Sequence, residues 1–144
     1  MNDETTPKTY FRKLRKYKYQ LTRDYSVPIQ IQGCGFDTPY LKLTPDGELT
    51  IKARYAWDGP SGPTIDTRTF MRGALVHDGL YQLIREGRIG PEQRKYADIL
   101  LRRICREDGM SAVRALYVYW FVRWFGCSAA KSDKDKYTKI RTAP

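Results

Sequence analysis

The chain has 144 residues, room for one domain rather than two, and its 41% hydrophobic and 13% aromatic content excludes wholesale disorder. Lys and Arg outnumber Asp and Glu 26 to 16, a net charge of +10, which favours anionic partners: nucleic acid, phospholipid headgroups or an acidic protein. Three scattered cysteines (Cys34, Cys105 and Cys127) exclude a disulfide framework, and a single histidine, His77, excludes zincins and multi-histidine nucleases, so no zinc is expected.

The opening MNDETTPK has no apolar core of a signal peptide, so a reducing cytoplasm is the expected compartment rather than secretion. Residues 1–16 read as a basic N-terminal arm, 17–126 as a single α+β domain and 127–144 as a basic C-terminal tail. From residue 17 to 55 the runs YKYQL, PIQIQ, YLKLT and ELTIKARY alternate in polarity, and T-P-D-G-E between two of them predicts a hairpin. This half is expected to be a small antiparallel β meander.

The segment Trp57 to Pro63 holds two glycines and two prolines and predicts a constrained loop. Beyond it the period becomes helical, and three α-helices are expected. The first runs from about Thr67 to Glu86, behind Asp66 or Thr67 as N-cap and before Gly87. The second starts at Pro91 and ends near Gly109, and the third follows Ser111 and stops at Gly126. The longest aromatic-apolar stretch, Ala115 to Val122, lies between Arg114 and Arg123 and falls far short of the roughly 20 residues of a membrane span.

On the first helix Phe70, Ala74, His77, Tyr81 and Ile84 share one face, which turns His77 inward. His77 stands about 15 Å before the interhelix turn and Asp98 about 12 Å after it, at 1.5 Å per residue. Antiparallel helices therefore bring the two to one level, where a His–Asp hydrogen bond is available. A carboxylate on one ring nitrogen fixes the tautomer and leaves the other nitrogen to take a proton from water. Asp78 and the Asp58 to Gly62 loop, with the Ser61 hydroxyl, would supply oxygen ligands of the kind that suits Ca²⁺ or Mg²⁺. The plainer alternative is a core histidine satisfied by Asp98, with Asp98 also able to pair with Arg94 or Arg102.

Four motifs in order, D-x-x-S-x-P (Asp58, Ser61, Pro63), H-D-x-L-Y (His77, Asp78, Leu80, Tyr81), A-D (Ala97, Asp98) and V-R-x-F-G (Val122 to Gly126), resemble a domain of unknown function found in tailed phages, prophages and bacteria. The resemblance covers about residues 40 to 126. It implies a phage-type protein made in the host cytoplasm, carried in the virion, with other virion proteins as partners. H-D-x-x-Y followed by A-D is also similar to phospholipase A2, particularly its compact bacterial kind. That resemblance implies His77 as the base for water, Asp98 as its orienting carboxylate, and Asp78 with Asp58 and its loop holding Ca²⁺; Ser61 and Tyr81 are expected to support the site. The cysteines that flank the histidine helix in that family are replaced by Ala74 and Gly79, and the β meander has no counterpart there.

On the third helix Leu116, Tyr117, Trp120, Phe121 and Trp124 form a stripe expected to face the core. Tyr119, Arg123 and Phe125 fall outside it and are the expected contacts to a partner or an anionic lipid surface. Three functions remain open: a His/Asp hydrolase, a non-enzymatic virion protein, and a nucleic-acid binder favoured by charge and eleven tyrosines but without a recognised motif.

Overall fold

The computed structural model describes residues 8–13, 19–57 and 68–126. In it the alternating first half forms seven short strands and the second half three helices, the expected α+β order. The strands are β1 (Phe11–Lys13), β2 (Tyr19–Leu21), β3 (Tyr25–Pro28), β4 (Phe36–Asp37), β5 (Leu41–Leu43), β6 (Glu48–Ile51) and β7 (Ala56–Trp57). The helices are α1 (Arg68–Arg85), α2 (Gln93–Glu107) and α3 (Ala112–Phe125).

The strands divide between two antiparallel sheets, β1-β2-β7 and β3-β6-β5-β4. Two corners between β2 and β3 and between β6 and β7 cause the division. Arg54 adopts a φ of 77°, an uncommon conformation for a residue with a Cβ, and turns the chain back so that β7 pairs with β2. Asp24 secures this corner by accepting the Ala53 N–H at 2.7 Å. The predicted hairpin joins β5 to β6, with Gly47 at a φ of 97° and its N–H bonded to the Thr44 carbonyl at 3.0 Å. β1 lies within the segment read as a basic arm, where the Phe11 ring meets Tyr19 and Trp57 edge-on at 5.3 and 5.9 Å. The inward residues of both sheets, among them Leu21, Leu41, Leu43, Leu49 and Ile51, close over α1.

α1 is the axis of the molecule. Gly73 lets α2 approach closely, whereas Gly79 faces the sheet at ordinary contact distance. A Cβ at Gly79 would stand 3.4 Å from Ile51 Cδ1 and 3.5 Å from Leu41 Cδ2, and one at Gly73 would stand 2.9 Å from Cys105 Sγ on α2. α1 is therefore pressed between sheet and helix, and its buried residues run almost all the way round. It ends as expected at Gly87, in the left-handed conformation with a φ of 72°. α2 begins two residues later than expected: the Gln93 and Arg94 N–H groups bond to the carbonyls of Gly90 and Pro91, so Pro91 and Glu92 form a turn first. Ser111 caps α3 as expected, its hydroxyl accepting the Arg114 N–H.

Arg72, in the first half of α1, is a buried cation that joins sheet to helices. Its guanidinium donates to the Tyr25 hydroxyl at 3.1 Å, to Glu107 at 2.9 Å and to both oxygens of Asp108 at 2.9 to 3.2 Å. Burial disfavours its charge, and the bonds from Asp108, Tyr25 and Glu107 more than restore it. Arg72→Met should keep the stem's packing but strand the Asp108 carboxylate, costing about 3 kcal/mol, as breaking a buried ion pair does. Urea unfolding followed by far-UV circular dichroism would measure that loss, and an unchanged midpoint would contradict this role.

Candidate active site

The depth match between the first two helices is realised. His77 Nε2 stands 2.7 Å from Asp98 Oδ1, with the imidazole and the carboxylate both buried. Two further donors converge on the same carboxylate. Tyr81, one turn after His77 on α1, donates its hydroxyl to Asp98 Oδ1 at 2.6 Å, and Arg123 of α3 donates Nη1 to Asp98 Oδ2 at 2.9 Å. The Tyr81 ring also lies against the imidazole at 4.1 Å between centroids. His77 Nδ1, the nitrogen not used by Asp98, stands 3.8 Å from Asp78 Oδ1, too far for a direct hydrogen bond but close enough for charge attraction.

The end of α3 closes the site, and the V-R-x-F-G motif supplies its parts. Arg94 of α2 donates through Nη2 to the Val122 carbonyl at 2.9 Å and the Arg123 carbonyl at 2.7 Å, a cation on the negative end of the helix. Arg123 turns in to Asp98. At Gly126 a Cβ would stand 2.6 Å from the Tyr81 hydroxyl, so glycine is what lets the chain pass over the tyrosine.

Electrostatics follow from this geometry. Burial works against the charged imidazolium of His77, yet the carboxylates of Asp78 and Asp98 outweigh it and raise its pKa above 6.5. Burial likewise opposes ionised Asp98, and His77, Tyr81 and Arg123 reverse this and hold its pKa below 3.8. Burial and the adjoining Asp98 charge push the Tyr81 hydroxyl well above its usual value, so it stays protonated and a donor. Because Asp98 is ionised, the His77 Nε2–H must donate to it. In the neutral ring, Nδ1 then carries the lone pair.

The predicted site residues separate into three groups. His77, Asp98 and Tyr81 come together, with Asp78 beside them. Asp58 and Ser61 lie outside the described residues. In the third group Arg123 bonds to Asp98, Tyr119 is half-buried and Phe125 is exposed. The stripe expected in the core faces outward instead. Ala115 and Val118 are buried, Val122 packs beside them, and Leu116, Tyr117, Trp120 and Trp124 are exposed. α3 is apolar nearly all round, so periodicity does not select its inner face. Small side chains at 115, 118 and 122 select it, because they let the helix approach Phe70, Ala74, Leu101 and Cys105. Sequence reasoning named Arg94 as a partner for Asp98 and Gly126 as the helix stop, but gave neither its observed role, and it did not pair Arg123 with Asp98. The usable signal was that Arg94 precedes Asp98 by one helical turn, and that Arg123 shares a side of α3 with Ala115 and Tyr119.

Among the described residues no group of three or more His, Cys, Asp and Glu side chains could hold a metal ion. Of the expected Ca²⁺ ligands only Asp78 lies within the described residues, and one carboxylate does not supply the six to eight oxygens Ca²⁺ takes. Compared with family models, curated proteins and solved structures, the chain matches none of them. The functional reading therefore rests on the site itself.

The ion pair gives stability a definite pH dependence. The His77 share is complete below pH 6.5 and fades as pH rises through its raised folded-state pKa. The Asp98 share is complete above pH 3.8 and fades as pH falls through its lowered one. The melting temperature should therefore fall as pH rises above 6.5, and His77→Asn should flatten that fall. A wild-type profile that superimposes on the variant's would remove the charged pair from the account.

Proposed function

We propose that this protein is a hydrolase of carboxylic esters, of the phospholipase A2 kind, in which His77 is the general base. The observation that carries this reading is the one-sided imidazole: Nε2 is tied to a buried, ionised Asp98, while Nδ1 is left to accept a proton. In the step this supports, Nδ1 takes a proton from water as the water oxygen bonds to the ester carbonyl carbon. The carbonyl π electrons move onto oxygen, and Asp98 and Asp78 stabilise the imidazolium so formed. When the carbonyl re-forms, the acyl–oxygen bond breaks and the departing alkoxide takes the proton back from Nδ1, giving acid and alcohol. Tyr81 and Arg123 are positioning residues, since they act on Asp98 rather than on substrate.

His77→Asn is the discriminating substitution. Asn keeps a hydrogen bond to Asp98, so the fold should survive with about 1–2 kcal/mol lost. Ester turnover should fall about 10²-fold or more, because an amide accepts no proton near neutral pH. The wild-type rate should rise with pH as His77 loses its proton. Unchanged turnover of glycerophospholipid and simple esters by a folded His77→Asn would leave His77 a core polar residue.

The same resemblance assigns Ca²⁺ to Asp78 and Asp58, a proposal separable from the dyad. A cation that binds only the folded state raises its melting temperature, so millimolar Ca²⁺ should do so in the wild type and not in Asp78→Asn. No shift in the wild type would remove calcium and leave the dyad standing. A second reading, a phage-type binding protein, is supported by the exposed aromatic face of α3.

A further inference from the structure

α3 turns its larger side chains away from the protein. Val113, Tyr117, Trp120 and Trp124 follow one another at helical spacing, 81%, 50%, 45% and 71% exposed, with Leu116 and Phe125 on their flanks. A contiguous surface of this kind marks a place of contact. The chemistry around it is cationic. α3 contains no acidic residue, and Arg114 sits within its first turn. On α2, Leu101 and Cys105 pack against the small residues of α3, and the residues that follow each of them, Arg102 and Arg106, are exposed.

We propose that this face docks on the surface of a membrane containing anionic lipid. A helix of 14 residues reaches only about 21 Å, short of the hydrocarbon thickness of about 30 Å, and no helix among the described residues is long and apolar enough to cross a membrane. α3 therefore lies on the bilayer. Two tryptophans, a tyrosine and a phenylalanine bordered by arginines are the composition that settles at the boundary of headgroups and acyl chains. Other occupants fit this face less well. A second copy would bring two chains of net charge +10 together. The chain's own segment 128–144 offers two large apolar side chains, Tyr137 and Ile140, among its lysines and other polar residues, too few to cover the face.

The docking itself stands on α3 and charge alone. Its consequence for activity rests on the hydrolase reading: the helix that touches the membrane also carries Arg123 on its inner side, so the base would sit one helix from the lipid.

Tryptophan fluorescence of the full chain reads the docking directly. Trp57 is 3% exposed and out of reach of lipid, so a change on adding vesicles comes from Trp120 and Trp124. Vesicles with roughly one-third phosphatidylglycerol should shift the emission to the blue, and brominated acyl chains should quench it. Vesicles of phosphatidylcholine alone, or high salt, should weaken binding about tenfold. The double variant Trp120→Ala/Trp124→Ala, changed only at exposed positions, should pellet with anionic vesicles about tenfold less. Wild-type emission that is neither shifted nor quenched overturns the proposal. So does a double variant that pellets as well as wild type, which would assign binding to the basic arms. A concentration-dependent dimer dissolved by the double substitution, with no vesicle binding, would overturn it in favour of a second copy. His77→Asn should bind vesicles normally, so loss of its turnover bears only on the hydrolase reading.

Discussion

A fully buried carboxylate organises this protein. Moving an isolated carboxylate out of water costs several kcal/mol even after the surroundings relax, and only good hydrogen-bonding geometry offsets that. Asp98 receives such geometry from three donors on two other segments: His77 and Tyr81 from α1, and Arg123 from α3. The close crossing of α1 and α2 at Gly73, the small inner face of α3 and the Arg94 grip on its last carbonyls all serve to bring those donors within reach. Arg72 solves the inverse problem at the other end of α1, a buried cation met by acids from the end of α2.

On the proposed hydrolase reading, the same arrangement sets stability against chemistry. The ion pair is strongest when His77 is charged, and a general base works only when it is neutral. Asp98 contributes to both states, as counter-ion to the imidazolium and as acceptor that fixes the neutral tautomer. Tyr81 and Arg123 reduce the conflict by sharing the carboxylate, so Asp98 stays ionised and hydrogen-bonded when the imidazolium loses its proton. Because His77 is the sole histidine, imidazole signals from this protein report that balance without interference.

Much of this was legible in the residues. The α+β order, the hairpin at Pro45-Asp46-Gly47, the cap at Ser111 and the stop at Gly87 each have a local cause, and local causes are written in short stretches of sequence. The His77–Asp98 bond was legible for a similar reason: two helices joined by a short turn have few ways to pair. The division into two sheets was not, because it depends on Arg54 taking a left-handed conformation that its side chain does not advertise. The orientation of α3 was hidden by its composition. A helix apolar on every side contains no periodic signal, and only its fit against α1 and α2 decides which residues meet the core. Asp58 and Ser61 lie outside the described residues, and their place remains with the motif that named them.

The positions of the three donors along the chain also dictate an order of assembly. During synthesis both sheets and the α1–α2 hairpin are available before α3 has emerged, and by then Asp98 has His77 and Tyr81 but not Arg123. One carboxylate oxygen must wait for a residue 25 positions later, held in water or half-covered until the last helix arrives. The hairpin alone is therefore a nascent form that resists full burial of its own centre. Docking of α3 then supplies Arg123 to the remaining carboxylate oxygen and closes the core beside it.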